Sequence, residues 1–196
     1  MHCCSRRNLK KLIINGTTYQ QCLNCGLLTK ESKLSLLEEK RRYDLHVCDE
    51  KYLNYMKNVV DNIKPFLKEG SSLDFGCGKI HALSDILNEE GFSCFYYDLY
   101  YFNLPLDIYD NIIMIEVFEH LRDPYLELMN ILKHLRPGGR IIIMTKPYED
   151  SFLENNWWYL RDSTHYSFIK NDTLKKWNLP YKVNQVKDDI FVLESI

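Results

Sequence analysis

A short apolar run, Ser71-Ser-Leu-Asp-Phe75, stops at Gly76-Cys-Gly78 and gives way to helical spacing at Leu83, Ile86 and Leu87. A buried strand that turns through two glycines into a helix constrains the fold strongly. Such a turn leaves backbone N–H groups open to a ligand, and the helix N-terminus favours an anion. The rhythm continues downstream. Ser93–Tyr97 and Asn111–Ile115 read as strands, and Asp123-Pro124 opens a helix with an N-cap and a first-position proline. Tyr125, Leu128, Leu132 and Leu135 form that helix's apolar face, Pro137-Gly138-Gly139 stops it, and Arg140–Met144 is the next strand. A short helix near Leu174 and Trp177 and strands at Tyr181–Val186 and Ile190–Glu194 complete the chain. Strands alternating with helices predict an α/β fold: a Rossmann-like, doubly wound and mostly parallel sheet.

With 196 residues, of which 45% are apolar, there is room for one such domain and a small appendage. The apolar and β-branched run from Lys11 to Tyr19, broken by Asn15-Gly16, makes residues 1–30 a β-rich module. Residues 31–70 form a helical connector, with Tyr52, Met56, Val59, Val60 and Ile63 at helical spacing, and residues 71–196 form the main domain. No apolar run spans a bilayer and the basic N-terminus lacks a signal peptide's apolar stretch, so a soluble cytoplasmic protein without membrane insertion is expected. The net charge of −2 argues against a generally basic nucleic-acid binder. Residues 1–42 nevertheless carry nine Lys/Arg against three Asp/Glu. Seven cysteines, four of them in the first 25 residues, read first as a metal site. Cys22-x-x-Cys25-Gly26 is a good zinc knuckle; a zinc ribbon would take Cys4 from an incomplete first knuckle, and His2 or Cys3 would have to serve as the fourth ligand.

A nicotinamide or flavin site would need a third glycine where His81 stands, so that reading fails. The acids point elsewhere. Asp98 ends the strand after the glycine turn, where a carboxylate can take both ribose hydroxyls, and Glu116 ends the next strand. Leu73-Asp-Phe-Gly-Cys-Gly78, Ile115-Glu-Val-Phe-Glu-His120-Leu and Leu135-Arg-Pro-Gly-Gly139 resemble three ordered blocks of the class I S-adenosylmethionine (SAM)-dependent methyltransferases. Tyr19–Leu28, Arg42–His46 and Trp157–Phe168 resemble a subgroup with an N-terminal zinc ribbon. The resemblance implies SAM as cofactor, bound by Asp74, Gly76 and Gly78 at its methionine end, by Asp98 at the ribose and by Glu116 beside the sulfonium. It also implies a structural zinc. The connector residues Arg42, Tyr43 and His46 would then form a lid.

The sequence departs from that pattern in two places. Ile80 stands where the class often has a third glycine, and Lys79 beside it reads as solvent-facing. Only eleven residues separate Asp98 from Asp110, too few for the usual helix, strand and helix; Leu99 to Tyr109 can supply at most a loop and one short edge strand. For catalysis, His120 and His165 are the candidate bases at the carboxyl edge of the sheet, and Trp157, Trp158 and Arg161 are candidates for an acceptor wall. His46, His81 and His134 read as structural or exposed. The expected reaction is methyl transfer to a small molecule or a glycan. The rivals are a catalytically degenerate SAM fold that works as a binding module, and a metal-assisted RNA 2′-O-methyltransferase, whose E-x-x-E-H spacing Glu116, Glu119 and His120 resemble. The acidic body lacks an evident RNA track.

Overall fold

The computed structural model describes residues 8–154 and 157–195. Its central sheet has six strands: β4 (Ser71–Phe75), β5 (Ser93–Tyr97), β6 (Tyr109–Ile115), β7 (Leu135–Met144), β9 (Tyr181–Lys187) and β10 (Ile190–Ser195). Their order is β5-β4-β6-β7-β10-β9. The first four run parallel, while β10 pairs antiparallel with both β7 and β9. Strand order reverses between β4 and β6, so a crevice opens beyond their carboxyl ends.

Strand periodicity sorts the two faces. Along β6, Ile113 joins one core cluster and its neighbours Ile112 and Met114 the other. Ile142 and Met144 of β7 lie with Ile113, whereas Ile141 and Ile143 lie with Ile112. The Ile113 face is covered by α2 (Glu50–Ile63) and α3 (Ala82–Glu89), through Met56, Val59, Val60, Ile63, Leu83 and Leu87. The opposite face is covered by α4 (Pro124–Ile131), through Leu128 and Ile131. Asp49 and Asp123 cap α2 and α4 by accepting backbone N–H bonds. Ile80, at the missing glycine, packs into the α2/α3 core.

The N-terminal strands β1 (Leu9–Ile14), β2 (Thr17–Cys22) and β3 (Leu28–Lys30) form a second sheet around the Asn15-Gly16 turn. Its fourth strand comes from far along the chain: β3 pairs with β8 (Ser167–Phe168). Cys22, Cys25 and Leu27 join the α4-side core, which ties the knuckle turn to the main sheet. Helix α1 (Leu36–Tyr43) starts at a capping box between Ser35 and Glu38. The segment after β5 stays within what its length allows, and two local expectations are corrected. Residues 99–108 form a loop whose ladder pairing is an isolated bridge between Asp98 and Phe102. The helix near Leu174 shrinks to one 3-10 turn, Leu174–Lys176. Strand β7 begins at Leu135, because Leu135 pairs with Tyr109 across a bulge. No helix among the described residues is long and apolar enough to cross a membrane.

Candidate active site

A cavity of about 460 Å³ lies at the switch point, within the size range of small-molecule sites. Gly76, Gly78, Asp98, Glu116 and His120 all line it. Gly76 turns the chain at φ +82°, and a Cβ there would come within 2.6 Å of Val117 Cγ2. Gly78 also has positive φ, +69°, but faces open space with no atom within 4 Å of an added Cβ. The first glycine therefore serves packing as well as the turn, and the second leaves room for a ligand.

Asp98 is buried and already engaged: Oδ2 accepts the Gly78 N–H at 2.9 Å, and Oδ1 accepts those of Tyr100 at 2.8 Å and Tyr101 at 3.2 Å. A carboxylate offers about four acceptor sites, so one remains for a ligand hydroxyl. The carboxylate thus ties the glycine turn to the loop that replaces the missing strand. One more sequence expectation changes. Asp74 is buried below the turn and off the cavity wall, bonded to the Ser84 backbone N–H, with burial pushing its carboxyl up to about 7. It supports the turn from beneath because β4 points it toward the N-terminus of α3. Lys79 is exposed, as expected, and donates to the Asp44 carbonyl at 2.7 Å, which clips the connector to the glycine turn.

Glu116 has φ +52°, a left-handed conformation that costs a residue with a Cβ about 1–2 kcal/mol. Its Oε2 accepts from the Tyr159 hydroxyl at 3.1 Å, while Oε1 has no hydrogen-bond partner. Glu119, wholly buried behind it, accepts from Thr145 Oγ1 at 2.9 Å through Oε2, and its Oε1 is likewise unpartnered. Burial, and for Glu116 the neighbouring Glu119, push both carboxyls up, Glu116 to about 8. The histidines stand beside them. His120 and His165 meet edge to face with centroids 4.8 Å apart. His120 Nδ1 lies 2.9 Å from the Thr164 carbonyl and His165 Nδ1 2.8 Å from the Tyr159 carbonyl. Carbonyls only accept, so each Nδ1 carries the proton and each Nε2 is bare. Burial lowers both imidazoles, that of His165 to about 4, where His120 adds to the effect. The two rings are neutral at neutral pH.

The connector closes the cavity, with Leu36, Glu39, Tyr43 and His46 on its wall. Glu39 is buried against Arg122, whose guanidinium also donates to the Leu34 carbonyl at 2.7 Å, and it accepts from Tyr43 Oη at 3.1 Å. Arg42 faces Asp162 at 3.9 Å instead. The wall candidates after β7 do not reach the cavity. Trp157 packs against Phe152, Tyr159 and Phe168, Trp158 is 57% exposed, and Arg161 is exposed. A single turn of 3-10 helix at Trp158–Arg161 buries Tyr159 and Leu160 instead, which turns the other two outward. His165 also stands behind His120 and off the wall. Thr145, Tyr159, Glu39 and Arg122 were invisible in the sequence as site residues, because no local spacing marks them. Cys22 and Cys25 bracket a turn closed by the Gly26 N–H to the Cys22 carbonyl, 2.7 Å. Two thiols are half a tetrahedral zinc set. Among the described residues the knuckle has no group of three ligating side chains, and Cys4 lies outside them.

The methyltransferase-domain family model matches residues 46–179. A comparison with curated proteins returns no match. Among solved structures, the fold is similar to magnesium protoporphyrin IX methyltransferase from Synechocystis PCC 6803 with bound S-adenosylhomocysteine (SAH), at 13% identity and TM-score 0.52 over 85% of this chain and 90% of that one. It is also similar to a SAM-dependent methyltransferase from Archaeoglobus fulgidus, at 19% identity and TM-score 0.51 over 77% of each chain. An O-methyltransferase family protein from Burkholderia thailandensis matches at 11% identity and TM-score 0.53, over 80% of this chain and 62% of that one. Identities at this level speak for the fold, and the family match covers the glycine turn, Asp98, Glu116 and both histidines. This chain belongs to the methyltransferase-domain family and is a methyltransferase of the SAM-dependent fold class.

Proposed function

We propose that this chain methylates a small-molecule or glycan acceptor with SAM bound along the glycine turn. One observation carries the reading: Gly76, Gly78, Asp98 and Glu116 share one cavity at the sheet's switch point with His120. The residues fit the cofactor, since Gly78 faces open space and the Glu116 Oε1 is a buried acceptor without a partner. When bound, SAM supplies an activated methyl on a sulfonium. The Gly76–Gly78 backbone receives its methionine end, and Asp98 offers its last acceptor site to the ribose. Glu116 is held beside the transfer point by Tyr159. The shortened adenine side is left to Phe75, Tyr97 and Leu99, all on the cavity wall, with Phe75 and Tyr97 stacked 5.1 Å apart. His120 meets the acceptor from the wall with a bare Nε2, and His165 stands behind it as a positioning residue. One structural relative, the Synechocystis protein, is named for a small-molecule acceptor, a magnesium porphyrin. A structural zinc on Cys22 and Cys25 belongs to the same reading, completed from the first residues.

Titration calorimetry with SAH tests the proposal. Wild-type protein should bind, and Asp98→Asn, which keeps one of the two acceptor oxygens, should bind at least about tenfold more weakly with a smaller loss of thermal midpoint than Asp98→Ala. Asp98→Ala is a poorer variant than the sequence alone suggests, because it strips three backbone N–H groups of their acceptor, at about 1–3 kcal/mol. Folded wild-type protein that takes up neither SAM nor SAH would overturn the enzyme reading in favour of a degenerate binding module.

A further inference from the structure

The mouth of the cavity is more apolar than binding a ligand inside it requires. Leu36, His46 and Tyr52 lie on the cavity wall, and their neighbours in the chain send apolar side chains into solvent. Leu37 is 60% exposed, Leu45 65% and Val47 74%, and Leu53 is exposed as well. Leu36 and Leu99, both wall residues, are themselves more than half exposed. Wall residues and solvent-facing aliphatics thus alternate along the connector, and the opening is rimmed by side chains that water disfavours. The charges point to what covers them. Lys40, Arg41 and Arg42 stand between the Leu36-Leu37 pair and Leu45, and Leu37 and Arg41, four apart in α1, share its outer face. Three nearby acids are committed: Glu38 to the Ser35 cap, Asp44 to Lys40 at 3.0 Å and Tyr101 Oη at 2.8 Å, and Asp49 to the start of α2. Residues 1–42 carry nine Lys/Arg against three Asp/Glu, out of 25 and 27 in the whole chain, so the remainder is acidic. An anionic surface would draw the connector towards it and push the acidic body away.

We propose that Leu37, Leu45 and Val47, with Lys40, Arg41 and Arg42 among them, seat the cavity mouth on an anionic lipid bilayer. The aliphatics favour a bilayer over a protein. Protein interfaces draw their binding energy from Trp, Tyr and Arg in packed pockets, where leucine and valine are under-represented. Leucines flanked by Lys and Arg, whose charged heads reach past their apolar stems, suit the headgroup boundary. A protein or a second copy seated on the rim would shut the opening, whereas a bilayer would feed it. The contact is peripheral, with single side chains entering the headgroup region. A mouth seated in this way admits an amphiphile from the bilayer, its polar end reaching His120 and its apolar end staying among the lipids. That narrowing of the acceptor rests on the methyltransferase reading; the docking surface stands on exposure and charge.

The test is co-sedimentation of the full-length protein with vesicles of three parts phosphatidylcholine to one part phosphatidylglycerol. Wild-type protein should bind them, and bind vesicles of phosphatidylcholine alone at least about tenfold more weakly. Leu37→Ser combined with Val47→Ser should weaken uptake at least about tenfold, and Arg41→Gln about fivefold, while SAH binding stays within twofold. Both serines replace side chains that already face water, so the thermal midpoint should hold. Wild-type protein that binds SAH but stays in the supernatant with the anionic vesicles would overturn the docking surface. Uptake undiminished in the double-serine variant would overturn it as well. Concentration-dependent dimers in sedimentation velocity, broken by the same two serines, would give the rim to a second copy and so overturn it too. Vesicle uptake without SAH binding would leave the surface standing and sink the cofactor reading, and the acceptor class with it.

Discussion

Gly76 and Gly78 look alike in sequence, yet the structure separates them, and Gly76→Ala against Gly78→Ala turns that separation into a measurement. Both have positive φ, so alanine at either costs about 1–2 kcal/mol in backbone strain. At Gly76 the new methyl also falls 2.6 Å from Val117 Cγ2 and 3.0 Å from Cγ1, and such overpacking adds about 1–3 kcal/mol. In a chain of this size each kcal/mol moves the thermal midpoint by roughly 2–4 °C. Gly76→Ala should therefore lower the midpoint by about 4–20 °C and Gly78→Ala by about 2–8 °C, read by scanning calorimetry without ligand. Placing Gly76→Ala in a Val117→Ala background removes the overlap but not the strain, so its cost should fall to about that of Gly78→Ala. SAH binding should rank the two the other way, because the Gly78 methyl points into the space a ligand needs. Equal losses of stability, or no relief from Val117→Ala, would refute the division of labour between the two glycines.

Two further outcomes follow from the site. Asp74 has a carboxyl pKa raised by burial to about 7, so the folded state holds its proton where the unfolded chain has already lost it. Its stabilising contribution is complete at low pH and is lost as pH rises from about 4 through 7. Asp74→Asn keeps the Ser84 N–H acceptor and should flatten that fall, gaining up to about 1.4 kcal/mol per pH unit over wild type in the window; parallel curves of midpoint against pH would count against it. Metal analysis of the protein purified without chelator should find sulfur-bound zinc that Cys22→Ser removes. Zinc content that is unaltered in Cys22→Ser would sever this knuckle from the metal.

The strands, the helices and the glycine turn were legible because each is a local pattern. Ile112 and Ile113 must part to opposite faces of a strand, Asp123-Pro124 must open a helix, and an apolar strand running into two glycines must turn. Asp98 and Glu116 were legible for the same reason, as residues at strand ends. What local pattern could not reveal is partnership over distance. The Thr145–Glu119 and Tyr159–Glu116 bonds join residues 26 and 43 positions apart, and β3 finds β8 from opposite ends of the chain. Trp157 and Trp158 show the converse: adjacent aromatics in a polar stretch suggested a binding wall, but one turn of 3-10 helix sends one into a cluster and the other to solvent. The sheet, its switch point and the acids beside it follow from local pattern, since hydrogen-bonding period and turn chemistry act between near neighbours. Which carboxylate oxygens lack partners and which imidazoles meet emerges on packing alone, since burial and contact belong to the folded chain and not to any segment of it.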